Sequence, residues 1–417
     1  MHILCTNGTR TVDTLDHLPT LPLSIDYRDT TATITRQDEL TIRHALLLWD
    51  RVRHIDLHLP PSILQKFIML MDEPFSMLEH LSLSSTTKED TSVVLPKTFL
   101  APNLRHLTLL GIDLPQRLRL LSSTVSLVTL VLTNIRASGY FSPRLLVAHL
   151  WSLPQLEKLS IEFSIPIPRP NAERELLGKH GTPVTLPNLK LLKFQGVSAY
   201  LECLVAQIRA PLLERLDITL FNQLAFVLPH LLHLINTTEA FKPPTQAPTA
   251  RVHFRSGVSM ITLGYCIALR VMCKQLDWQI DCAAQICNAL MPALSGVQNL
   301  RLSFGGPEMP TNYWEIPIGA LGLGGPVMPT NWENGEIDAT TWHELLRSFI
   351  GVNELRICGA LSQELSRALQ VDEVGLDPGL LPRLQELVSE FEGVHPASLF
   401  GSFIHTRRVT GRPVRLR

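Results

Sequence analysis

The feature that most constrains this chain is a short phrase, LxxLxL, that recurs along most of its length. It reads VRHIDL ending at Leu57, LEHLSL at Leu83, LRHLTL at Leu109, LVTLVL at Leu132, LEKLSI at Ile161, LKLLKF at Phe194 and LERLDI at Ile218. Later copies are VQNLRL, ending at Leu302, and NELRI around Leu355 and Ile357. The central apolar positions Ile55, Leu81, Leu107, Leu130, Leu159, Leu192 and Leu216 are separated by 26, 26, 23, 29, 33 and 24 residues. Successive side chains of an extended segment point to opposite faces, so apolar residues on either side of a polar one give one core face and one solvent face. One strand and one helix bury too little surface to fold alone. Stacked copies share a continuous core in which each buried leucine contributes roughly 1.5–3 kcal/mol.

Copies at this spacing predict an α/β leucine-rich-repeat solenoid: a curved parallel sheet, helices on the convex side, and irregular repeats. Helix starts are read at Ser62, at Ser142 with Pro143 in the first turn, and at Thr341 with Glu344 as a capping box. The Asn expected after the last strand leucine is replaced by Ile112, Ile135, Ser164, Val197 or Phe221. Three parts are expected: an N-terminal cap over residues 1–48, a first stretch of array over 49–240, and a second over 241–417 ending in a C-terminal cap. Residues 164–187 and 241–250 read as Pro-rich loops, and RVHFRSGVSMITL as a hairpin turning at Ser256 and Gly257. GGPEMPTN from Gly305 is repeated as GGPVMPTN from Gly324, with Trp314 and Trp332 close behind. This duplication is either a doubled Trp-bearing binding loop or an insertion without function, including one introduced by the gene model.

Composition narrows the function. Lys and Arg total 37 against 38 Asp and Glu, spread along the chain without a basic stripe, which argues against nucleic acid. The 7 cysteines form no CxxC pair and read as buried thiols of a reducing compartment. No stretch reads as a secretion signal or a membrane span, so cytoplasm or nucleus is expected, with no membrane partner. Phosphate-loop, nucleophile-elbow, zinc-protease and dinucleotide motifs are absent, and GALGLGG near Gly319 reads as a loop. Cys282 and Cys287 read as core thiols on a helix, and LVSEFEGVHPASLF as a capping helix or turn. No catalytic residue, cofactor or metal is assigned, and the chain is read as a binding protein.

The expected partner surface is the concave strand face, where a protein target would meet His54, Asp56, His58, His80, Ser82, His106, Thr108, Thr129, Lys158, Glu162, Lys193, Gln195, Arg215, Asp217, Thr219, Arg301 and Arg356. His54, His80 and His106 fall in one register of three consecutive repeats, which predicts a histidine column. With strands about 4.8 Å apart the column is read three ways: as tolerant half-exposed positions, as a pH-sensitive patch, or as the ligand set of a metal-dependent enzyme.

Three runs, LPKTFLAPNLRHLTLLGIDLP with VSLVTLVLTNI, SAYLECLVAQIRAPLLERLDITLFNQ, and the closing LFGSFIHTRRVTGRPV, resemble the F-box proteins with degenerate leucine-rich repeats that abound in fungi. The resemblance covers nearly the whole chain. It implies the substrate-recognition arm of a cullin-type ubiquitin-ligase receptor, in which an N-terminal F-box docks on the ligase adaptor and the repeats hold the target. The F-box itself is missing, and MHILCTNGTRTVDTLDHLPTLPLSIDY resembles the segment that follows it. Met1 is therefore read as an internal start, and an adaptor is expected as partner only where an F-box lies upstream. The alternative is a free-standing scaffold unrelated to ubiquitin.

Overall fold

The computed structural model describes residues 3–6, 8, 21–28, 34–85, 92–115, 119–166, 183–223, 225–242, 248–255, 257–273, 276–305, 339–358, 361–369, 380–390 and 396–417. They form two compact units, Met1–Asp217 and Ile218–Arg417. Each is an α/β leucine-rich-repeat array built on a mostly parallel sheet. The Gly305–Trp332 duplication lies outside the described residues apart from Gly305, as do Ser256, GALGLGG and much of the two Pro-rich loops.

In the first unit the strands Ile3–Cys5, Leu23–Arg28, Val52–Leu59, His80–Ser85, His106–Leu110, Thr129–Ile135, Lys158–Phe163 and Leu191–Gly196 follow one another in parallel. The strand Arg215–Phe221, within which the division between the units falls, begins with the Arg215 N–H donating to the Lys190 carbonyl at 2.9 Å. The repeat leucines explain the register: Ile55 pairs with Leu81, Leu81 with Leu107, and Leu107 with Leu130. Ile55, Leu81, Leu107, Leu130, Leu159 and Leu216 are completely buried, and Leu192 nearly so. A one-residue slip would send every one of these side chains to the water side, which is why the pairing is so uniform. The N-terminal segment contributes two strands because Leu23, Ile25 and Tyr27 alternate into the same core.

Helices cover the core face. Arg36–Leu47 starts at Thr35, whose hydroxyl accepts from the Asp38 N–H, a start that the sequence reading did not name. Pro143–Leu150 starts at Ser142, whose hydroxyl accepts from the Leu145 N–H, as expected. Two other expected starts are corrected. The helix Pro61–Ile68 begins at Pro60, whose backbone is extended as the following proline requires, leaving Ser62 in the first turn. Ala339–Arg347 already includes Thr341, so no capping box forms there. Where the Asn positions are lost, Ile112 and Ile135 pack into the core, and backbone groups satisfy the loops instead. The Gly111 N–H donates to the Thr133 carbonyl at 2.9 Å, and the Ser164 N–H to the Ile135 carbonyl at 2.9 Å.

The second unit keeps the same core face and changes the topology. Thr249–Arg255, Asn299–Phe304, Glu354–Cys358, Glu386–Glu390 and Arg415–Leu416 run parallel in that order. The expected hairpin is present: Thr249–Arg255 pairs antiparallel with Val258–Leu263, and Gly257 sits at φ +84°, where a residue without Cβ is favoured. A further antiparallel strand, Ile267–Met272, follows. Trp342 is buried edge-on against Phe254, ring centres 5.9 Å apart. The closing helix Pro396–Val409 carries the buried Arg407, whose Nη2 donates to the Leu381 and Leu384 carbonyls at 3.0 and 3.4 Å.

Candidate strand-face interaction site

Parallel pairing aligns the side chains that alternate away from the core into rows, one residue per strand. In the first unit one row runs Ser24, His54, His80, His106, Thr129, Lys158 and Leu191. The next runs Asp26, Asp56, Ser82, Thr108, Val131, Ser160 and Lys193. Most of these side chains are half-buried by their neighbours, which limits their rotamers and makes the face a firm surface.

The histidine column exists. The His54 and His80 rings stack with centres 4.4 Å apart and planes 15° from parallel, and His80 meets His106 at 5.6 Å and 39°. Burial, then the neighbouring His54 and His106, push the His80 imidazole down to about 4, while Asp56 pulls the other way. His80 is therefore neutral at physiological pH. Stacked rings do not converge their nitrogens on one point. Among the described residues no group of three or more His, Cys, Asp or Glu side chains is placed to hold a metal ion.

Charges in the first unit are matched locally. Arg28 lies 2.6 Å from Asp56 and 3.5 Å from Asp26, and Lys193 lies 3.0 Å from Glu162, which also accepts from the Ser160 hydroxyl at 2.9 Å. His58 sits beside Arg28 in register. Gln195 and Asp217 are nearly buried, and the Gln195 amide donates to the Phe163 carbonyl at 2.9 Å. Arg215 and Thr219 remain half-exposed, and Lys158 is exposed at the strand start.

In the second unit Arg301 and Arg356 are adjacent in register, and Arg251 completes the row on the other side of Arg301. His253 Nδ1 is 2.9 Å from the Ser303 hydroxyl. Burial, then Arg255 and Arg301, lower the His253 imidazole below its usual value. Arg251, His253 and Arg270 were not singled out from the sequence, nor were Asp26 and Arg28. Their strands lack the leucine phrase, and only the alternation of Ala250, Val252 and Phe254, or of Leu23, Ile25 and Tyr27, marks them.

The remaining chemistry is structural. Burial raises the Cys287 thiol, and contact with Cys273 followed by burial raises Cys282, so both sit in the core as poor nucleophiles. A cleft lined by Leu114, Leu121, Leu132, Phe141, Leu146 and His149 has a volume of about 20 Å³, room for a single water. Among the described residues no helix is long and apolar enough to cross a membrane.

No protein-family model and no curated protein matches the sequence. Among solved structures the chain is similar to the leucine-rich-repeat-containing protein LegL7 from Legionella pneumophila. That similarity is at 12% identity and a TM-score of 0.27, over 100% of this chain and 99% of that one. So loose a superposition leaves the fold resting on this chain's own strand pairing and repeat spacing.

Proposed function

We propose that this protein is a protein-binding scaffold that uses the outer face of its strands. The observation that carries this reading is the unbroken alignment of outward side chains across consecutive parallel strands, from Ser24 to Leu191 in the first unit. A broad surface of half-buried, mixed polar residues suits a folded protein or peptide better than a small molecule, which needs an enclosed pocket. The test compares partners recovered by the tagged protein and by a Ser82→Glu/Thr108→Glu variant with an unchanged unfolding curve. Loss of a partner in the variant supports the reading, and an identical set of partners contradicts it.

The resemblance of LPKTFLAPNLRHLTLLGIDLP and LFGSFIHTRRVTGRPV to F-box proteins supports a narrower form, in which the array is the target-holding arm of a ubiquitin-ligase receptor acting in cytoplasm or nucleus. Recovery of a cullin with the tagged native protein supports this form. Partners recovered repeatedly without a cullin favour the scaffold alone.

A further inference from the structure

At the C-terminal end of the second unit, charge is not matched within the chain. From Pro396 to Arg417 the sequence holds five arginines, Arg407, Arg408, Arg412, Arg415 and Arg417, and no carboxylate. Arg417 is paired with Glu386 at 2.8 Å. Arg408 and Arg415 are exposed, as is Arg383 in the turn before the strand Glu386–Glu390, and none of these three has a carboxylate partner among the described residues.

The backbone gathers these residues. The helix Pro396–Val409 ends with the Arg412 N–H donating to the Arg407 carbonyl at 2.8 Å and the Gly411 N–H to the Arg408 carbonyl at 3.1 Å, while Gly411 takes φ +76°. This left-handed reversal carries the chain from Arg407 back past it. Arg407 Nη2 reaches the Leu381 and Leu384 carbonyls, which bracket Arg383, and the Arg415 N–H donates to the Gln385 carbonyl at 2.8 Å. Arg383, Arg407 and Arg415 therefore meet at the end where Glu386–Glu390 begins.

Arg407 is the unusual member. It is 2% exposed, its Nε has no hydrogen-bond partner, and no carboxylate pairs with it among the described residues. Carbonyl dipoles satisfy Nη2 but carry no full negative charge, and a guanidinium does not shed its proton in a protein. The buried charge is thus left uncancelled, and its field adds to that of the surface arginines. A helix C-terminus favours cations, which accounts for Arg407 and Arg408, but Arg383 and Arg415 lie outside the helix.

We infer that this end of the second unit binds a doubly charged oxyanion of the phosphate class, held by Arg383 and Arg415 and attracted by the buried charge of Arg407. Each guanidinium presents a fork of N–H donors that matches two oxygens of a tetrahedral anion, so two arginines can share one ligand. The inference stands apart from the strand-face reading above.

The probe is radiolabelled orthophosphate, equilibrated by dialysis against the full chain. The expected result is saturable binding of one ion per chain that equimolar chloride does not displace and that falls at least tenfold in Arg383→Gln/Arg415→Gln. Both side chains are exposed, so an unchanged urea midpoint is expected for that variant, and either single variant gives the same reading should the pair fail to fold. Arg144→Gln, at an exposed helix position of the first unit, leaves binding unchanged. Competition by O-phosphoserine at least as strong as by orthophosphate supports the site with a phosphate ester as its source, and competition by orthophosphate alone supports it with the free ion. No saturable binding by the native chain, or binding indifferent to Arg383 and Arg415, overturns the inference. So does tighter, Arg383-dependent binding of a labelled deca-thymidine strand, which would mark a nucleic-acid surface.

Discussion

The two units solve the same packing problem and present different surfaces. In the first, every strand is parallel to the next, and the outward rows carry histidines, hydroxyls and charges matched at short range, as Arg28 is to Asp56 and Lys193 to Glu162. In the second, two antiparallel strands join the sheet beside Thr249–Arg255, and the outward positions include Arg251, Arg255, Arg270, Arg301 and Arg356 among hydroxyl, thioether and other side chains. The core side chains hardly differ: Leu107 in the first unit and Leu302 in the second are both completely buried. Hydrophobic burial fixes the inward residue of each alternation and leaves the outward one free to vary, so repeats of one architecture can carry unlike recognition surfaces.

The sharpest way to break the comparison is to remove what the units share. Leu107→Ala in the first unit and Leu302→Ala in the second should each cost about 2–5 kcal/mol, measured by urea unfolding. Similar losses support an equivalent core; a cost under about 1 kcal/mol at either position contradicts it. Next in size is a feature of the second unit alone. Arg407→Ala leaves the Leu381 and Leu384 carbonyls without their donor and should cost about 2–3 kcal/mol, with Arg407→Lys recovering little because an ammonium lacks the fork.

The histidine column sharpens the comparison from the other side. His80 titrates at about 4 in the folded protein against 6.5 unperturbed, so the unfolded chain takes up its proton first. The contribution of His80 is present above pH 6.5 and is lost as the pH falls from about 6.5 to about 4. Because the ring is partly exposed, solvent screening reduces the effect to about 1–2 kcal/mol. His80→Gln should flatten the pH dependence of the urea midpoint in that window, and an unchanged slope would mean that the column is not coupled to folding. The smallest effect is Asp56→Asn, which removes a partly exposed ion pair with Arg28 and should cost under about 1 kcal/mol, most visibly at low salt.

Sequence reading was strongest where one physical rule acts alone. The LxL positions from Ile55 to Leu216 are core because alternation and repeat spacing leave them no other place, and the stacking of His54, His80 and His106 follows from the same register. The hairpin was legible from two short apolar alternations around a turn, but Ile267–Met272 was not, because IALRVM reads equally as strand or helix until its neighbours are known. Arg251 was invisible as a member of the Arg301 and Arg356 row for a related reason: which strands sit side by side is decided by long-range pairing, and Thr249–Arg255 skips over two strands to reach Asn299–Phe304. Helix starts at Ser62 and Thr341 failed because a local capping preference of about 1 kcal/mol yields to the proline geometry at Pro60 and Pro61 and to the packing of Trp342.

The most direct measurement of the central claim is site-specific photo-crosslinking from a benzophenone side chain placed in turn at Ser82 on the outer strand face and at Trp151, an exposed position at the end of the helix Pro143–Leu150. The account predicts that a co-expressed partner crosslinks from position 82 and not from 151. A partner captured from 151 alone would place recognition on the helix side and contradict the account.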